Sequence, residues 1–523
     1  MSRFLHRFAL LVAGTLSGWD RVVFKGKLCP LYSPEGMNCL LSANHVLYKD
    51  FKRYAAAVTD QVLAASGVAE ARGRGCFRYL NSSKIDKEAL ARDFAARGRV
   101  KEGLVCILQC VEPCWTFDKA ITPEGQLTIR GEPGRCSHLY HYYRHPTFGW
   151  LYVRLQTWFP FEIQVGLNGR EWLARQMDRD RLRYTRSDNK FVWVQDWARA
   201  QRLLDRQAQT DWVGELDALQ RQVHPLHPGH LGRLPRRYNW TVFQNEWATD
   251  VAFRRQEELE PWFDRWLRQA LLNDDSSDVL RFFGRSPAIY RKGRARIETS
   301  VHAHFEGKRI KHWVDSNSLK LYTHANVLRA ETTLNDVRPI QVLRPPADDP
   351  DGTVARRPMR RSVVDLPLRA TFSQGVNERY LEALAATAET RTVQALAEPL
   401  TQRVPEPRRA AGRPARYVRG LNPLGAADAA LLRAISDPKW LLHGLRNRDL
   451  VAALYPTGTD DPQERRRRSA RVTRLLRLLR GHGLIEKIAG THRYRVGAEA
   501  RIQIHALLAC HNANPDQLVT NAA

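Results

Sequence analysis

Four acidic residues stand where carboxylates do phosphodiester chemistry. Asp20 lies in the strand-like run 19–26, and Glu112 ends the apolar run 103–112. Glu246 and Asp250 are four apart in a segment whose spacing predicts a helix over 240–253, which puts both on one helix face. Carboxylates gathered from two strands and a helix are what a metal-dependent nuclease or transposase uses to hold two Mg²⁺ ions. Those ions clamp the attacking and leaving oxygens. Asp20, Glu112, Glu246 and Asp250 are therefore the candidate catalytic and metal-holding set, with Glu331 on a later strand as a fifth member. A plainer use is equally available to each: Asp20 as a cap, Glu112 paired with an arginine, Glu246 and Asp250 on a solvated face.

Other groupings suit binding. Arg154, Gln156 and Trp158 alternate along one strand, and Asn168, Arg170 and Trp172 follow. Arginine beside aromatics and amides suits stacking on unpaired bases and gripping phosphate; the alternative is a half-buried strand with its tryptophans in the core. Lys311, Lys320 and Arg329 on neighbouring strands extend that surface. Cys106, Cys110, Cys114, Cys136 and His138 contain no C-x-x-C pair, so zinc is not expected. His302-Ala303-His304, with Tyr290 or Tyr322 as nucleophile, matches a metal motif of rolling-circle nucleases, but its surroundings read as a loop. No phosphate-cradling glycine loop, nucleophile elbow or dinucleotide fingerprint is present.

The elements that position a nucleic-acid contact are clearest near the C-terminus. Val472, Leu475, Leu476 and Leu479 recur at helical spacing, and Arg467, Arg471, Arg474 and Arg477 occupy the other face. Gly481-His482-Gly483 stops that helix, and two short strands follow, 484–488 and 493–496. A helix, a turn, an arginine helix and a basic hairpin make a winged helix. Its arginine helix would enter a major groove, while Arg493 and Arg495 in the wing would reach phosphate or the minor groove. The competing use of the same segment is protein contact with the arginines solvated.

The 523 residues carry 82 Lys+Arg against 55 Asp+Glu, a net charge of +27. Residues 402–501 hold 22 Lys+Arg and 9 Asp+Glu, so nearly half the excess sits in one segment. The remainder is still basic, which predicts a second polyanion-contacting surface in the body. Eight cysteines are too few for a disulfide scaffold and fit a reducing cytoplasm, and no stretch is long enough to span a membrane. Strands and helices mix without βαβ alternation, so the class is α+β, with no internal repeat in the sequence. The expected organisation is an N-terminal α+β domain at 1–223 and a middle α+β domain at 236–398. A Pro/Arg-rich linker, 399–425, then leads to a winged helix at 426–510.

Several short segments carry a resemblance. They are Asp20-Arg21-Val22-Val23 with Gly26, Glu112-Pro113-Cys114, Val153-Arg154 with Thr157-Trp158, Asn168-Gly169, and Asp188-Asn189 with Phe191. Further on come Glu246 with Ala248-Thr249-Asp250, Ile310-Lys311-His312, Ser318-Leu319-Lys320 with Tyr322, Leu328-Arg329 with Glu331-Thr332, and Asn447-Arg448-Asp449-Leu450. With these the chain resembles, nearly end to end, a widespread family of uncharacterised bacterial proteins with a MarR-like C-terminal winged helix. The resemblance implies mobile-element or regulator proteins. The expected partners are DNA or structured RNA and no membrane, with a homodimer if the protein is a regulator.

Overall fold

The computed structural model describes residues 1–224, 237–272, 274–285, 296–304, 307–347, 349, 351–387, 393–405, 417–440 and 443–513. The chain forms two compact units, Met1–Ala388 and Glu389–Ala523. Both strands and helices build it, so the α+β class holds.

The first unit begins with α1 (Ser2–Arg7), β1 (Val12–Lys27), α2 (Pro34–Ala43), α3 (Phe51–Ala65), α4 (Val68–Gly73), β2 (Phe77–Leu80) and α5 (Lys87–Arg97). A meander follows: β3 (Gly103–Ile121), β4 (Leu127–His145), β5 (Gly149–Gln156) and β6 (Ile163–Asn168). Then come α6 (Gly169–Arg179), the hairpin β7 (Tyr184–Ser187) and β8 (Lys190–Val194), α7 (Trp197–Asp205) and α8 (Trp212–Val223). The chain resumes with β9 (Asn239–Phe253), α9 (Gln256–Leu272), α10 (Ser276–Phe282), β10 (Ile297–His304), β11 (Gly307–Val314), β12 (Asn317–His324) and β13 (Val327–Leu334). A small hairpin, β14 (Gln341–Arg344) with β15 (Ala355–Pro358), and the long α11 (Leu366–Thr387) complete the unit.

Eleven of these strands form one sheet, in the order β10-β11-β12-β13-β9-β1-β6-β5-β4-β3-β2. This corrects the expected split between 1–223 and 236–398. The expected linker at 225–235 lies outside the described residues, but β1 and β9, one from each side of it, pair antiparallel along most of their length. The sheet also shows a repeat that the sequence hides. β1, helices, the meander β3 to β6 and α6 are matched by β9, helices, the meander β10 to β13 and α11. In each half the last meander strand returns to pair with the first strand, β6 with β1 and β13 with β9. Arg21 stands opposite Glu246 where the halves meet.

Residues 240–253, expected as a helix, are strand β9. Trp240, Thr241, Val242, Phe243, Trp247, Thr249, Val251 and Phe253 are β-branched or aromatic, types that suit a pleated surface. The strand does not stop where the apolar run ends at Glu112: β3 continues through Pro113, which lies opposite Arg135. Helices cover the sheet centre. A Cβ at Gly18 would come within 2.5 Å of Leu204, so α7 lies close against β1. Asn377 of α11 donates to Trp247 O at 3.1 Å and Ala330 O at 3.0 Å and accepts from Thr332 Oγ1 at 2.6 Å.

The second unit runs α12 (Val393–Thr401), a two-stranded ribbon β16 (Val404–Pro405) with β17 (Tyr417–Val418), α13 (Ala426–Ile435), α14 (Asn447–Leu454) and α15 (Pro462–Gly481). It ends with β18 (Ile485–Lys487), β19 (Tyr494–Val496) and α16 (Ala498–His511). Leu445 bridges to Tyr494 and adds a third strand to the hairpin. Helix, strand, helix, helix, hairpin is the winged-helix order. The expected linker at 399–425 is partly built into this unit, through the end of α12 and the ribbon.

Candidate functional site

The carboxylates expected to gather metal are held by cations instead. Asp250 and Arg329 point from neighbouring strands onto one sheet face, at paired positions of β9 and β13. Arg329 grips Asp250 with two bonds, Nε to Oδ1 at 2.5 Å and Nη2 to Oδ2 at 2.9 Å, and reaches Asp20 Oδ1 through Nη1 at 2.7 Å. Arg170 closes the cluster with Nη2 3.1 Å from Asp250 Oδ2 and 3.0 Å from Ala248 O. Asn189, in the β7–β8 turn, donates to Asp20 Oδ1 at 2.6 Å and accepts from Arg329 Nη2 at 2.8 Å through its carbonyl. All eight β13 residues are buried, so ionic groups there persist only when paired.

Beside this cluster Lys320 Nζ lies 2.5 Å from Glu331 Oε1 and 3.7 Å from Glu246 Oε1, while Tyr322 donates to Glu331 Oε2 at 2.8 Å. Burial alone would raise the Glu331 carboxyl, but Lys320 and Arg329 outweigh it and hold it at about 2. Glu246 moves the other way, raised by burial and by the like charge of Glu331. Lys311 sits 3.5 Å over the Trp313 ring, and burial together with the Lys320 charge lowers it to about 8.

Glu112 stands apart. Four strand spacings separate β3 from β1, ~19 Å, whereas a two-metal clamp needs ions ~4 Å apart. It accepts from Tyr140 Oη at 2.8 Å, Arg154 Nε at 3.0 Å and Lys87 Nζ at 3.1 Å. Burial pushes its carboxyl up, and Tyr140 and Arg154 pull it down further, to about 2. Glu246 and Asp250 share a face, but on a strand four residues span ~13 Å rather than one helical turn. The set Asp20, Glu112, Glu246 and Asp250 therefore does not converge into a Mg²⁺ cage.

The expected base-binding residues of the body are likewise engaged. Arg154 is paired with Glu112, Arg170 and Arg329 are buried, and Lys320 is bound to Glu331. Trp158 donates to Phe117 O at 3.2 Å and packs edge-on against Phe51, so it belongs to the core. Lys311 keeps partial exposure. The Tyr322 hydroxyl is donated to Glu331, and Tyr290 lies outside the described residues. Sequence reasoning missed Asn189 and Tyr322 as members of the ion network. Their signal is in the register, since Tyr322 pairs with Arg329 across β12–β13.

No family model, no curated protein and no solved structure matches this chain.

In the second unit the apolar stripe of α15 is as expected: Val472, Leu476 and Leu479 are buried and Leu475 half-buried. Asp461 caps the helix by accepting from Gln463 N at 2.9 Å. Asn447 ties α14 to α15, donating to Thr473 Oγ1 at 2.9 Å and Ser469 O at 3.1 Å. Arg467, Arg471, Arg474 and Arg477 are all exposed. The wing differs from expectation. Arg493 donates to His443 O at 3.0 Å and Gly444 O at 3.2 Å, anchoring the hairpin to the loop before α14. Arg495 is exposed and pairs with Glu486 at 3.1 Å.

Proposed function

We propose that this protein binds nucleic acid and that its C-terminal unit engages duplex DNA by laying α15 into a major groove. One observation carries the reading: four arginines at 3–4-residue spacing, Arg467, Arg471, Arg474 and Arg477, are exposed on one face of the third helix of a winged-helix order. A helix presented this way neutralises phosphates flanking the groove. The resemblance to bacterial proteins with a MarR-like winged helix points the same way. The engaged state of Asp20, Glu112, Asp250 and Glu331 favours a binder of the regulator class over a nuclease or transposase.

The test uses the full chain purified under reducing conditions. Duplexes are selected from genomic fragments, and their binding is followed by fluorescence anisotropy with and without Mg²⁺. Tight duplex binding that Arg471→Gln/Arg474→Gln weakens, with the duplex left intact, supports the reading. Mg²⁺-dependent cleavage would restore the nuclease alternative. Binding confined to structured RNA, unaffected by those substitutions, would overturn the role given to α15.

A further inference from the structure

We propose that Cys114, Cys136 and His138 form a zinc-binding site on the β3–β4 pair. In that ladder Glu112 pairs with Cys136, Cys114 with Gly134 and Cys110 with His138. Alternate residues of a strand share a face, so Cys114, Cys136 and His138 project to the same side of the sheet. One ligand atom from each of the three lies within 4.8 Å of the other two. The two sulfurs are 3.2 Å apart, and both thiols are free.

His138 supplies the second, independent sign. It is fully buried, with Nδ1 3.1 Å from Cys136 O. A backbone carbonyl only accepts, so Nδ1 carries the proton and the lone pair is on Nε2. Nε2 is buried and has no hydrogen-bond partner. A ligating histidine characteristically donates its other ring nitrogen to a carbonyl, which fixes ring and tautomer. His138 is in that state.

The charge and geometry suit a divalent d¹⁰ ion. Zn²⁺ replaces the two thiol protons, which pass to solvent, and Zn²⁺ with two thiolates is neutral. The site therefore adds no net charge beside Glu112, Arg154 and Lys87, which are already paired with one another. Zn–S bonds of about 2.3 Å in a tetrahedron set the sulfurs about 3.8 Å apart, so binding widens the present separation slightly. Cys114 and Cys136 are only partly buried, so water reaches the fourth position.

The experiment loads the reduced full-length protein with ZnCl₂, removes loose metal on a chelating column and measures zinc by mass spectrometry. Cobalt(II) is added in parallel as a spectroscopic probe. Expected are about one zinc per chain, as three protein ligands in one site require, and a thiolate-to-cobalt charge-transfer band with tetrahedral d–d bands. Cys114→Ser and Cys136→Ser should lose both signals, His138→Gln should weaken binding at least tenfold, and Cys29→Ser should change neither. The wild-type cobalt spectrum decides the matter even where a variant misfolds. Absence of the charge-transfer band, or zinc content equal to that of Cys136→Ser, overturns the proposal. So does a Cys114–Cys136 disulfide that forms in the presence of zinc.

Discussion

Replacing Arg329 tests whether Asp20 and Asp250 are structural or metal-holding. Arg329→Met keeps most of the side-chain volume and removes three charge-assisted bonds, at 2.5, 2.7 and 2.9 Å. Two buried carboxylates then share Arg170 as their cation, with Asn189 still donating to Asp20. Breaking a buried pair by deleting one partner costs ~3–5 kcal/mol. The first unit spans Met1–Ala388. At about 2.1 cal/mol/K per residue its unfolding entropy is ~0.8 kcal/mol/K, so Tm falls by ~4–6 K. Asp250→Asn alone is also destabilising, because Arg329 then keeps only Asp20 as a carboxylate partner. The double variant recovers ~1–3 kcal/mol relative to the sum of the singles, the coupling expected of residues in one network. Thermal melts of the four proteins, each with EDTA and with Mg²⁺, measure the cycle. A neutral Arg329→Met would refute the network's structural role. Stabilisation of the wild type by Mg²⁺ that Asp250→Asn abolishes would return these carboxylates to metal binding.

Other outcomes follow from the same geometry. Each phosphate neutralised contributes ~0.9 to the slope of log K against log salt, so Arg467→Gln/Arg471→Gln/Arg474→Gln lowers that slope by ~2.7. Between 50 and 200 mM salt the wild type would then lose ~40-fold more affinity than the triple variant, whereas parallel slopes would remove those arginines from the interface. Arg493→Ala should lower the melting temperature of the second unit and leave the salt slope unchanged, since its guanidinium bonds His443 and Gly444 carbonyls; a drop in slope would place it on phosphate after all. Burial lowers His141 and His312 from 6.5 to about 4. The unfolded chain therefore binds the proton first, and stability falls as pH drops from about 6.5 towards 4, by about 3 kcal/mol per histidine at most. Glu112 and Glu331, held at about 2, add a second loss as pH falls from about 4.5 towards 2. Melts over that range check both stages; a midpoint flat from pH 7 to about 4 would contradict the burial of the two imidazoles.

The second unit was legible because its signal is local. The α15 stripe and the glycine stop at Gly483, with φ +70, need no distant partner to be read. The first unit was not, because its order is set by pairings between residues far apart in the chain. β9 reads as a helix when its apolar residues are scanned at 3.6 spacing, and only its place between β1 and β13 fixes it as a strand. In the sequence Asp20 reads as a metal ligand and Arg329 as a base contact; 309 positions separate them, and nothing local announces that they bond. The carboxylates were read without their cations. A buried strand carrying both Arg329 and Glu331 pairs its charges with its neighbours before offering them to a ligand.

The ladders on either side of the β1–β9 pair show what the two halves share and where they part. In the first half Arg21 pairs with Asn168, Val23 with Gly166 and Lys25 with Gln164. In the second, Glu246 pairs with Thr333, Ala248 with Glu331 and Asp250 with Arg329. The pairing scheme is the same while these paired residues differ, so the repeat is invisible in the sequence. The half built on β9 filled its row with the Asp250–Arg329 pair and Glu331. The half built on β1 left Gly166 and Gln164 there and moved its ionic cluster outward, to Arg154 and Glu112 near Cys114, Cys136 and His138. In both halves Arg154, Arg170, Lys320 and Arg329 on this face are paired with carboxylates, whereas Lys311 packs over Trp313. The excess positive charge of the body is thus not carried by Arg154, Arg170, Lys320 or Arg329. Along α15, Arg467, Arg471 and Arg474 are exposed, and Arg468 forms an i,i+4 ion pair with Glu464. The proposed nucleic-acid contact rests on that exposed arginine face.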